Sequence, residues 1–292
     1  MSYKNYLQAA LALFFIWIFR RLGLSLGAKL AGVAVLSFGR FTREHKLADV
    51  NMAAALPELT PQQRKIALRD MWYNIGYVLA EMAHMERIVA QAERRLHVHG
   101  NEHLRTLKES GKPFVLVSAH TGNWEINMVV LQQMGFEAGA IYRASNNPIL
   151  DKWIVDQRAG YMSHQIPKGA EGSKQMIRLL KNGVSLGALV DQRLNTGDPI
   201  KFFGRSTHAP SAAVKLAHRF DLMVVPMRVC RQTNKPDTAY FDVHVEAPFQ
   251  VKQSDDRQGD TDRAMKHIYS RFEAWISDRP AEWFWVHDRW RQ

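Results

Sequence analysis

Cysteine is almost absent from this chain: a single Cys230 sits in the apolar run LMVVPMRVC. One thiol allows neither an intrachain disulfide nor a cysteine zinc site, and it fits a reducing, cytoplasmic setting. Negative charge is also scarce. Asp and Glu total 28 against 39 Lys and Arg, a formal net charge of +11, so the chain should seek anionic partners: membrane phospholipid, nucleic acid or an acidic carrier protein. Linkers are nearly missing too. The only linker-like segment is VKQSDDRQGDTD, residues 251–262, and no internal repeat appears, which points to one main domain. With 46% apolar residues among 292, disorder is excluded.

What is plentiful is apolar sequence at the N-terminus. LQAALALFFIWIF, residues 7–19, is followed by Arg20 and Arg21 and then by a second apolar run, residues 22–38, containing only Lys29. The first run alone makes about 20 Å of helix, short of the roughly 30 Å of a bilayer core. Two geometries fit: one span that borrows residues beyond the arginines, or a shallow hairpin in the interface with the arginines at the headgroups. A cleaved signal peptide fits poorly, because the arginines follow the apolar stretch and no small-x-small site precedes them. The same arginines would hold the rest of the chain on the cytoplasmic side.

After a helix signalled by Thr60, Pro61 and Gln63, with an apolar stripe from Leu68 to Met82, the chain alternates strand-like and helical runs. PFVLVSA precedes a helix from about Asn123, AGAIY precedes one over residues 147–158, and SLGALV follows one from Ser173. A helix over 210–220, the strands LMVVPMRV and AYFDVHVEA, and a helix over 261–277 complete the series. This alternation predicts an α/β fold: a central mixed, largely parallel sheet flanked by helices, with the apolar N-terminal helix added. Ligands of such sheets gather at the carboxyl ends of strands. There PFVLVSA runs into His120, AGAIY into Arg143, and SLGALV into Asp191, Gln192 and Arg193.

In AHTGNWE, His120 and Glu125 are five residues apart, about 140° around a regular helix, and cannot pair across a helical face. They could meet if His120 lies in a strand-to-helix turn freed by Gly122 and Glu125 in the first helical turn. The carboxylate would then orient one imidazole nitrogen and leave the other free as a base. The helix start at Asn123 would offer N–H groups to an oxyanion or phosphate.

SAHTGNWE resembles the H-x4-E motif of the lysophospholipid acyltransferase superfamily, and in detail its lipid A lauroyl and myristoyl acyltransferase branch. AIYRASNNPILDKWI, ALVDQR, IKFFG, VVPMRV and EWFWVHDRW resemble further blocks of that branch, in the expected order along most of the chain. The resemblance implies an α/β/α acyltransferase domain over residues 41–292, with 41–100 as a helical lead-in, and a membrane-anchoring segment over 1–40. It implies transfer of a fatty acyl group from acyl carrier protein to a hydroxyl of a Kdo-bearing lipid A precursor, at the cytoplasmic face of a bacterial inner membrane. His120 would be the general base and Glu125 its orienter. We assign Arg143, Asp191, Gln192 and Asn123 to substrate binding: Arg143 to a phosphate or the oxyanion, Asp191 and Gln192 to positioning the acceptor or Arg143. Another glycolipid, a phospholipid mannoside or an aminolipid as acceptor, and acyl-CoA as donor, fit the same motif. So does slow hydrolysis of the donor, if water replaces the acceptor.

A non-catalytic basic lipid-binding protein is the reading from another class, but it gives no reason for polar residues at three strand ends. Nucleic acid is not expected, since no recognised binding motif is present. GLSLG around Ser25 satisfies G-x-S-x-G but lies in the apolar N-terminal run, not in a strand-turn-helix elbow. The 12 histidines form no H-E-x-x-H pattern, and HVH at His97–His99 reads as strand alternation, so neither a cofactor nor a required metal is expected. Lys201, Arg193 and Arg205 read as a solvated basic face. Trp283, Trp285, His287 and Arg289 suit a membrane interface, a lid or core packing.

Overall fold

The computed structural model describes residues 3–290. Three helices come first: α1 (Tyr3–Gly39), α2 (Arg43–Ala55) and α3 (Pro61–Met82). The start of α3 forms as its sequence predicts: the Thr60 side chain accepts from the Gln63 N–H, and the Gln63 side chain accepts from the Thr60 N–H. Short helices α4 (Met85–Ala90) and α5 (Ala92–Arg95) lead into β1 (Leu96–His99) and α6 (Asn101–Ser110). The alternating portion follows as β2 (Val115–Ser118), α7 (Ile126–Gln133), β3 (Ala138–Tyr142), α8 (Pro148–Arg158), β4 (His164–Pro167), α9 (Ala170–Lys181) and β5 (Ser185–Leu189). A hairpin of β6 (Asp198–Phe202) and β7 (Arg205–Ala209) precedes α10 (Ala212–Arg219), β8 (Met223–Arg231), β9 (Phe241–Val245), β10 (Phe249–Gln250) and α11 (Arg257–Asp278).

The sheet runs β1-β9-β8-β2-β5-β3-β4, with β10 beside β8. The β8–β2–β5–β3–β4 run is parallel, β9 is antiparallel to β8, and β1 is parallel to β9. This is the mixed, largely parallel sheet expected from the alternation. Both faces are buried: Val115 and Val117 of β2 enter one apolar cluster with α9, α10 and α11, while Phe114 and Leu116 enter another with α6 and α7. Continuous apolar strands are what such two-sided burial requires. The linker-like segment is shorter than its composition suggests. Residues 257–262 belong to α11, whose start is capped by the Asp256 side chain accepting from the Gly259 N–H, and Asp260 and Thr261 are buried.

The arginine pair does not interrupt α1. The break falls at Gly23, whose φ of 75° and ψ of 173° no helix contains. After it, Leu24 is buried in the apolar cluster with Met85 and Ile88 of α4, Ala28 and Ala31 are buried against α3, and the backbones of α1 and α3 approach so closely that a β-carbon on Gly76 would sit 2.5 Å from the Gly32 Cα. The arm before Gly23 is about 30 Å long, enough to cross a bilayer core. It keeps Leu7, Leu11, Phe14 and Trp17 more than half exposed, and only 11% of the apolar window of α1 is buried.

Candidate active site

Parallel pairing of β2 with β5 puts Ser118 beside Leu189. Two residues further on, the same alignment brings His120 alongside Asp191. His120 Nδ1 lies 2.7 Å from Asp191 Oδ1, and the His120 backbone N–H donates to Asp191 Oδ2 at 3.0 Å. The indole N–H of Trp283 donates to that second oxygen at 2.7 Å. Asp191 is 1% exposed. Burial alone would raise its pKa, but the His120 imidazole and these hydrogen bonds outweigh it and hold the carboxyl well below the usual range. Asp191 is therefore a carboxylate at neutral pH, and the Nδ1 hydrogen of His120 points at it.

The other nitrogen, Nε2, lies 3.1 Å from the side-chain nitrogen of Gln192, which also stands 2.6 Å from His287 Nε2. Burial, reinforced by the neighbouring His120, lowers the His287 pKa to about 4, so its imidazole is neutral at pH 7. One amide nitrogen with two hydrogens can donate to both rings, which leaves His120 Nε2 as an acceptor. That is the protonation pattern of a general base.

Glu125 stands elsewhere. The predicted Glu125–His120 pairing is not made: the Glu125 carboxylate is 4% exposed and held by Arg158, whose Nε donates at 3.0 Å and whose terminal nitrogen also bonds it, and by the Tyr161 hydroxyl at 2.8 Å. The reason is local. Gly122, at φ 57°, turns the chain so tightly that a β-carbon would meet the Val229 carbonyl, and the helix begins at Ile126 instead of Asn123. Glu125 thereby faces the end of α8, while Nδ1 of His120 is already occupied from β5.

Asn123 is corrected as well. It is buried, its Oδ1 accepts from the Glu125 N–H at 3.2 Å, and its Nδ2 donates to Glu81 Oε2 at 3.0 Å. Asn74 of α3 donates to the Gly122 carbonyl at 3.0 Å and accepts from Arg231, which also pairs with Glu81. Asn123 is a strut that ties the turn to α3, not a surface for substrate. The Asp191 carboxylate is occupied by His120 and Trp283. Arg143 is exposed, 3.5 Å from Asn146 Oδ1. Its charge helps lower the pKa of Lys168, after burial, so both cations edge the same end of the sheet.

The C-terminal tail closes over this centre. Gly122 N–H donates to the Glu282 carbonyl, Phe284 N–H to the His120 carbonyl, and Trp124 packs edge-on to His120 at 5.0 Å. Trp283, Trp285 and Arg289 are each at most 2% exposed, which rules out the membrane-interface reading for them; Trp283 and His287 complete the site instead. Next to it lies a narrow cavity of about 50 Å³, lined by Trp124, Glu125, Met128, Arg158, Met162 and Leu189 among others. Arg158 and Tyr161 carried no motif in the sequence; the only hint was a cation closing the last turn of an amphipathic helix.

No curated protein matches this chain. The profile of the family described as bacterial lipid A biosynthesis acyltransferase does match, over residues 1–292, and the chain belongs to that family.

Proposed function

We propose that this lipid A biosynthesis acyltransferase moves a fatty acyl chain from acyl carrier protein to a hydroxyl of a Kdo-bearing lipid A precursor, using His120 as general base and Asp191 as its orienter. The observation that carries this reading is the His120 imidazole held at Nδ1 by a buried carboxylate while Nε2 meets only an amide nitrogen. The acceptor hydroxyl takes the place of the Gln192 contact and gives its proton to Nε2. Its oxygen attacks the thioester carbonyl, the C–S bond breaks, and the thiolate leaves with the proton from the imidazolium. Asp191 stabilises that imidazolium. Glu125, with Arg158 and Tyr161, fixes the wall between the turn and α8; Arg143 and Lys168 offer cations to acceptor phosphate.

The bare apolar arm of α1, in a family that acts on lipid, is consistent with membrane association. We place that arm in the inner membrane, with Arg20 and Arg21 at the cytoplasmic headgroups; Arg20 pairs there with Glu86 of α4. The test is acyl transfer from lauroyl- and myristoyl-acyl carrier protein to the tetra-acylated, Kdo-bearing precursor, read by product mass. Wild type should add one chain, and His120→Ala should remove most of that activity while remaining folded. Hydrolysis of the donor without transfer, still dependent on His120, would keep the chemistry and discard this acceptor.

A further inference from the structure

A second cluster of imidazoles and a carboxylate lies away from the site, at the open edge of the sheet. In the parallel pairing of β1 and β9, His97 stands beside Asp242 and His99 beside His244. Alternation sends Val98 and Val243 toward the apolar cluster beneath and leaves His97, His99, Asp242 and His244 on the outer face. His97 Nδ1 lies 3.3 Å and His99 Nε2 3.1 Å from the same oxygen, Asp242 Oδ1, and all three ligand atoms fall within 4.8 Å of one another. Gln232 also donates to that oxygen, at 3.0 Å, so three nitrogens converge on an atom with two lone pairs. The His244 ring stacks on His99 with centroids 4.6 Å apart, crowding three imidazoles into one corner.

We propose that His97, His99 and Asp242 form a binding site for a borderline divalent cation such as zinc, with water completing the tetrahedron. Two neutral imidazoles and a carboxylate are the donor set that zinc, nickel or copper prefers, and that calcium and magnesium do not. Ligand atoms about 2.0–2.1 Å from a tetrahedral zinc lie roughly 3.4 Å apart, close to the nitrogen–oxygen spacings of this cluster. Bringing the two histidine nitrogens together needs only ring rotation, because both side chains are exposed. A bound cation takes one lone pair from each ligand and relieves the crowding on Asp242 Oδ1. Its effect is mechanical: it clamps edge strand β1 onto β9. The cluster is separate from His120 and Asp191, so the chemistry of acyl transfer does not pass through it.

The experiment is zinc titration of the untagged full chain in detergent, by calorimetry and by thermal unfolding. Wild type should bind one zinc at this site and unfold several degrees higher with it. His97→Ala/His99→Ala and Asp242→Asn should each weaken binding at least tenfold and lose the thermal shift, while His120→Ala keeps both. Absence of zinc binding by wild type overturns the proposal. So does binding unchanged in the His97→Ala/His99→Ala variant, or lost in His120→Ala, because the cation would then sit elsewhere.

Discussion

The two histidine–carboxylate clusters use the same groups and differ in surroundings. At the site, the Asp191 and His120 side chains are 1% and 14% exposed, and a Trp283 indole takes the carboxylate oxygen that the imidazole leaves. At the sheet edge, the His97 and His99 side chains are 68% and 42% exposed, and both converge on one oxygen of Asp242. Burial, with the imidazole alone on Oδ1 and the backbone and indole donors on Oδ2, fixes a tautomer and leaves the second imidazole nitrogen open. Exposure with several nitrogens on one oxygen leaves lone pairs gathered around a point, a ligand set and not a base. Each carboxylate has three such partners; what separates the two is how those partners divide between its oxygens and how much water reaches it.

The sharpest way to break the comparison is to exchange the consequences. Asp191→Asn should lower acyl transfer by roughly 100- to 10,000-fold, the range for a positioned base, while Asp242→Asn leaves the rate within about twofold, as expected of a half-buried position on a strand outside the site. Equal losses in steady-state transfer assays would erase the distinction. Glu125→Ala should act through stability. It leaves the mostly buried Arg158 unpaired and should cost about 3–5 kcal/mol in chemical denaturation, with Glu125→Ala/Arg158→Leu recovering part of it. If Glu125→Ala lost activity with no change in stability, the carboxylate would be acting on the chemistry and not on the fold.

Acidification should sharpen the contrast in a graded way. His287 titrates near 6.5 when unfolded and at about 4 in the folded chain. Between those values the unfolded state binds more protons, so the stability from neutral His287 is present above pH 6.5 and lost as pH falls toward 4. Thermal unfolding between pH 7 and 4.5 should show that loss, and His287→Gln should flatten it. The smallest effect belongs to the edge: without added metal, His97→Asn should change stability by no more than about 0.5 kcal/mol, as an exposed position does.

Much of this molecule is legible in its sequence. Apolar runs bounded by turn residues marked β2, β3, β5, β8 and β9, and Thr60–Gln63 marked the start of α3, because such signals are local. The site was legible only as an edge. The sequence places His120, Asp191 and Gln192 at strand ends, but it offers as partner for His120 only the carboxylate nearest along the chain. Pairing of β2 with β5 joins residues 71 apart, and no spacing rule reports it. The tail behaved likewise: indoles and charge fit an interface, a lid or core packing equally, and the structure shows Trp283, Trp285 and Arg289 packed in the core.

The sequence by itself determined the α/β alternation, the apolar run of α1 and the placing of His120 at a strand end, since each depends on residue types at short range. Only the tertiary structure decided which carboxylate holds the His120 imidazole, where Glu125 is spent and where the helix after Gly122 begins. Those outcomes follow from strand order and from competition among buried polar groups for partners, which is settled across the whole core and not along the chain.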